Sequence, residues 1–111
     1  MSQRGCARGD HAACTRHARA LVARDPAAAI AVLAPACAAP SAPTVKRCEA
    51  LASMLLTVPA PHRDAARAEV LYRATCGLGS SAGCSLRRVL CGRERALPGC
   101  AATPPERAAG P

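Results

Sequence analysis

The 111-residue sequence predicts an all-α fold, a short solenoid of α/α hairpin repeats stapled by disulfides. Three observations carry this reading. Three segments share one register of helix cap, cysteine and apolar residue; two others share an aspartate twelve residues before a cysteine; and eight cysteines accompany a single aromatic residue, Tyr72. With no Trp and no Phe, the core must be built from Leu, Val, Ile, Met and many alanines. A core of that kind is thin in a chain this short, so covalent staples are expected to supplement it, which places the chain in an oxidising compartment.

The first helix type occurs three times, as "DHAACTRHARAL" from Asp10, "TVKRCEALASML" from Thr44 and "SSAGCSLRRVLC" from Ser80. Asp10, Thr44 and Ser80 each stand four places before a cysteine (Cys14, Cys48, Cys84), and their side chains can accept from the unpaired amides of a first helical turn. Leu21, Leu55 and Cys91 follow those cysteines by seven residues, two turns further along the same face.

The second type occurs twice, as "DPAAAIAVLAPAC" from Asp25 and "DAARAEVLYRATC" from Asp64. Pro26 is a favoured first helical residue after an N-cap. Pro35 lacks an amide to donate and should bend the last turn before Cys37. In register, Ala29 matches Ala68, Val32 matches Leu71 and Leu33 matches Tyr72. The two types alternate with periods of 34 residues (Cys14 to Cys48) and 36 (Cys48 to Cys84), the signature of a helical-hairpin solenoid.

A cysteine ending one helix, a glycine at the left-handed cap (Gly9, Gly79), an N-cap and a cysteine in the next first turn bring two sulfurs across a tight hairpin. This predicts Cys6–Cys14 and Cys76–Cys84, with Cys37–Cys48 pairing across a longer link. Cys91 is expected to tie down the tail through Cys100, although no N-cap residue stands four places before Cys100. Residues 1–100 are read as the repeat region with a cut first repeat, and the Pro/Ala-rich 101–111 as a disordered tail.

The pattern of Asp64, Ala68, Leu71, Tyr72, Cys76, Gly79 and Cys84 resembles the Sel-one-like repeat, a relative of the tetratricopeptide repeat, in its cysteine-rich branch of secreted bacterial proteins. The resemblance covers about residues 6–92 and is sharpest over 61–86. It implies a curved superhelix whose concave face, formed by the helices from Asp25 and Asp64, binds a protein or peptide partner. Arg67 and Glu69 are the candidate exposed contact residues there. Some cysteine-rich members are associated with β-lactam binding or hydrolysis. The chain departs from the pattern where the small residue kept as Ala18 and Ala52 becomes Arg88, preceded by Arg87. Such arginines suit a terminal helix with no further repeat to cover it.

The competing chemistries are weaker. Cys6, His11, Cys14 and His17 form the alternative set for zinc or copper in a reduced, metal-binding protein, but structural zinc sites space their ligands more closely. The copy from Cys76 to Cys84 has no histidine. Arg8-Gly9-Asp10 is the tripeptide of adhesion ligands, yet Gly9 and Asp10 already serve as cap residues. No Ser-x-x-Lys occurs and bridged cysteines are not nucleophiles, so no catalytic residue and no cofactor is assigned. The gaps between paired cysteines are seven, ten, seven and eight residues, unlike the nine of mitochondrial twin-cysteine proteins.

The net charge of +8 comes from fourteen arginines and Lys46 against seven acids. Arginine and alanine in this abundance read as a GC-rich genome's codon bias. The cations are dispersed with no aromatic stacking platform between them, so nucleic-acid binding is not expected. No stretch is long and apolar enough to span a membrane. "MSQRGCARGD" has no signal-peptide core, and Cys6 has too few residues before it for the helix it should end, so a truncated or misplaced start, with a helix and a signal upstream, is the expectation that reconciles the chain with secretion or export to the periplasm.

Overall fold

Three of the helices begin at a short polar side chain that caps them. The computed structural model describes residues 11–102, with side chains to Cys100. It contains α1 (His11–Leu21), α2 (Pro26–Leu33), the 3-10 turns η1 (Ala34–Cys37) and η2 (Ala42–Thr44), α3 (Val45–Thr57), α4 (Ala65–Gly77), α5 (Ser81–Arg93) and α6 (Pro98–Ala102). No strand occurs among the described residues. Asp25 Oδ1 accepts from the Ala28 amide at 3.1 Å, Asp64 Oδ1 from Arg67 at 3.0 Å, and Ser80 Oγ from Gly83 at 3.0 Å. Each satisfies one orphan donor of a first turn.

Thr44 departs from its expected role. It precedes α3 without accepting a side-chain cap bond, and its Oγ1 instead accepts from the Ser41 amide at 2.9 Å. Pro43 of the "APSAPT" link lies in a 3-10 turn, Ala42–Thr44, that follows Ser41, and the threonine hydroxyl is spent closing that turn. Asp10 and Gly9 lie outside the described residues, as do Arg8 and Cys6.

Pro35 acts as its chemistry requires: α2 ends at Leu33 and the chain tightens into η1 through Cys37. After α4 the reversal runs through Gly79 at φ 98°, a conformation that L side chains rarely adopt. The Gly79 amide donates to Cys76 O and the Ser80 amide to Thr75 O, both at 3.0 Å, which closes the helix end in a Schellman motif.

Helix α1 packs along α2, α3 along α4, and α4 along α5, while α3 also touches α1 and α2. Ala18, Ala29, Ala52 and Ala68 are completely buried, so backbones approach closely at these points. Around them lie Leu33, Leu51, Leu55, Leu71, Tyr72 and Leu90. Of the pairs matched in sequence, Ala29 with Ala68 and Leu33 with Tyr72 share their burial, whereas Val32 is half-buried and Leu71 buried.

Three bridges fasten this frame. Cys37–Cys48, Cys76–Cys84 and Cys91–Cys100 have Cα separations of 5.5, 4.5 and 5.3 Å. Cys14 is also disulfide-bonded, and the expected Cys6–Cys14 pairing lies outside the described residues through Cys6. Bridges of this density belong to an oxidising, extracellular-type environment. No helix among the described residues is long and apolar enough to cross a membrane.

The Cys91–Cys100 bridge folds α6 back against α4. There Gly99 lies directly on the Glu69 carboxylate, where any added side chain would collide. Residues 103–111 of the expected tail lie outside the described residues.

Candidate functional site

Helices α3 and α5 both pack on α4 but hardly meet each other. Their separation leaves a groove of about 340 Å³. Leu56 of α3, Leu86 and Val89 of α5 and the ring of Tyr72 from α4 supply its apolar wall, with Leu90 beneath. Leu86 is 42% exposed and Val89 51%, a large apolar exposure for neighbours one turn apart. At one end Arg63 Nη2 donates to Glu94 Oε2 at 2.7 Å, pinning the loop before α4 to the end of α5.

The polar groups beside the groove are ordered by the hairpin. Ser80 Oγ accepts from Gly83 and donates to Glu49 Oε2 at 2.6 Å, tying the cap of α5 to α3. Burial, the nearby Glu49 carboxylate and, opposing them, a hydrogen bond with Ser53 act on the Tyr72 phenol, and the net effect raises its pKa above 10.0. A neutral, largely buried phenol is a wall, not a proton-transfer group, at ordinary pH.

Two further grooves run along α3. One, about 460 Å³, lies between α1 and α3 and shares Ser53 with the apolar groove. The other, about 370 Å³, lies at the start of α3 beside His11 and Pro43.

The two residues expected to meet a partner separate. Arg67 is exposed on α4 but lines none of these three grooves. Glu69, expected to be exposed, is 1% exposed. Its Oε2 accepts from Arg87 Nε at 2.6 Å and its Oε1 from Arg73 Nη2 at 3.1 Å. It is a structural carboxylate beneath α6 and is not presented to solvent. Of the alternative metal set, Cys14 is bonded to sulfur, His11 and His17 are half-buried on α1, and Cys6 lies outside the described residues. Among the described residues no three His, Cys, Asp or Glu side chains are grouped to hold a metal ion.

Sequence reasoning misses Leu86, Val89 and the ring of Tyr72 as a surface. Arg87, expected to stand uncovered on a terminal helix, is instead half-buried against Glu69 where α6 returns, while Arg88 is exposed. No protein-family model, curated protein or solved structure matches this chain.

Proposed function

We propose that this chain is a non-catalytic interaction scaffold of the Sel-one-like repeat type, secreted or periplasmic in its full-length context, that binds apolar anchor residues of a partner peptide in the groove between α3 and α5. One observation carries the reading: Leu86 and Val89 stand bare beside Tyr72, in a groove whose walls belong to helices stapled in place. The Cys76–Cys84 bridge fixes α5 against α4, so the groove exists before a ligand arrives and little ordering opposes binding. The resemblance puts the contact surface on the side of Arg67; the groove favours the opposite lip of α4, where Tyr72 lies.

Peptides selected from a random displayed library on the oxidised protein test this. The reading expects aliphatic or aromatic anchors in the winners, amide shifts at residues 56, 72, 86 and 89, and a loss of tenfold or more with Val89→Asp at an unchanged thermal midpoint. Winners that instead shift residues around Arg67, and bind Val89→Asp as well as the parent, would refute the site.

A further inference from the structure

The second groove on α3 has a chemistry opposite to the first. Arg16 and Arg19 stand one turn apart on α1 and face Lys46 on α3 across the cavity of about 460 Å³. All three are exposed, and none makes an ion pair among the described residues. The one carboxylate in the wall, Glu49, is taken by the Ser80 hydroxyl at 2.6 Å.

Next to Lys46, Arg47 deepens the positive field. It is 8% exposed, its Nη2 donates to Cys14 Sγ at 2.6 Å, and its buried Nε has no hydrogen-bond partner. A disulfide sulfur is a weak, uncharged acceptor, so this buried guanidinium has no counter-charge among the described residues. Three cations and one carboxylate line this groove, and the buried Arg47, which lines the adjoining groove at the start of α3, adds its charge, so the site carries an excess of positive charge that dispersed surface arginines do not make.

We infer that the groove between α1 and α3 binds an acidic peptide segment through Arg16, Arg19 and Lys46, next to the buried charge of Arg47. The inference rests on the reading of the chain as a peptide-binding scaffold and specifies its partner. Ser53 lines both grooves, so one extended peptide can lay apolar anchors between α3 and α5 and carboxylates between α1 and α3. A peptide is favoured over nucleic acid because no aromatic ring lines the basic groove for a base to stack on.

The test uses the full oxidised chain and fluorescence anisotropy of a labelled tetraglutamate peptide at low salt. We expect saturable binding that weakens as salt rises. Arg16→Gln/Arg19→Gln/Lys46→Gln should weaken it tenfold or more. Arg67→Gln/Arg88→Gln/Arg93→Gln removes equal charge elsewhere and should cost less than threefold, and Val89→Asp should change it less than twofold. Equal losses from the two triple variants would show unspecific attraction to net charge and overturn the inference. Tighter binding of a labelled hexathymidylate would overturn it in favour of nucleic acid. Because tetraglutamate does not use the apolar groove, failure here with intact Val89-dependent peptide binding would leave the scaffold reading standing and remove only the acidic partner.

Discussion

Arg87 Nε lies 2.6 Å from the carboxylate of Glu69, a side chain 1% exposed, in the seam where α4, α5 and α6 meet. The pair lies where α6 returns onto α4 beside α5. Arg87 also donates to the Gly99 carbonyl at 3.2 Å, so one guanidinium joins α5 to both neighbours.

Removing the carboxylate breaks the half-buried ion pair with Arg87. Glu69→Ala should lower stability by about 3 kcal/mol, read as a fall of roughly 12 °C in thermal midpoint. Arg73→Ala, whose partner bond is made by a side chain 52% exposed, should cost under about 0.5 kcal/mol. Equal losses from the two would show that the seam with Arg87 carries no special weight.

Much of this is legible from residue chemistry. Asp25, Asp64 and Ser80 cap helices because short acceptors at those positions serve local amides, and Gly79 reverses the chain because its neighbours demand a left-handed residue. Thr44 escapes the same rule because Ser41, three residues back, competes for its hydroxyl. Glu69 defies expectation for a non-local reason. Its burial depends on α6 returning through Cys91–Cys100, and a charged residue in an amphipathic helix gives no sign of a helix that will cover it. The convergence of Arg16, Arg19 and Lys46 is likewise hidden, since charges dispersed in sequence meet only when α1 and α3 pack.

Glycines in α5 should respond with opposite signs. A Cβ on Gly83 would press on Thr75 Oγ1 and lie 2.9 Å from both the Cys76 amide nitrogen and Glu49 Oε2, whereas one on Gly92 would meet nothing within 4 Å. Gly83→Ala is expected to destabilise by about 1–3 kcal/mol through overpacking. Gly92→Ala should stabilise by about 0.5–1 kcal/mol, the helical preference of alanine. Denaturant midpoints of the two variants check this, and a stabilised Gly83→Ala would contradict the close approach of α5 to α4.

Tyr72 should ionise above its ordinary value of 10.0, chiefly through burial and then through Glu49. As the chain's single aromatic residue, its phenolate absorbance is free of overlap. A group whose folded pKa is raised contributes stability that is fully present below the unfolded value, near pH 10, and is lost as pH rises through the folded value. Glu49→Gln should lower the midpoint, and a titration coincident with that of the denatured chain would contradict the buried ring.

Each staple should be worth a measurable part of the stability. Cys76→Ala/Cys84→Ala opens a loop of about nine residues and should cost about 2.5 kcal/mol by the chain-entropy relation. It should also loosen α5 enough to weaken peptides that depend on Val89. Full retention of such binding would show that α5 is held without the bridge.

The account rests first on bridged cysteines joining successive helices, and an intact mass with mapped disulfides of the natively folded, unreduced protein addresses it most directly. With Cys37–Cys48, Cys76–Cys84, Cys91–Cys100 and the expected Cys6–Cys14 all formed, the mass should lie eight hydrogens, about 8 Da, below that of the reduced chain. Proteolysis should then release those pairs and no others. Free thiols that alkylate readily in the native, metal-free protein, or sulfurs paired in any other combination, would contradict it.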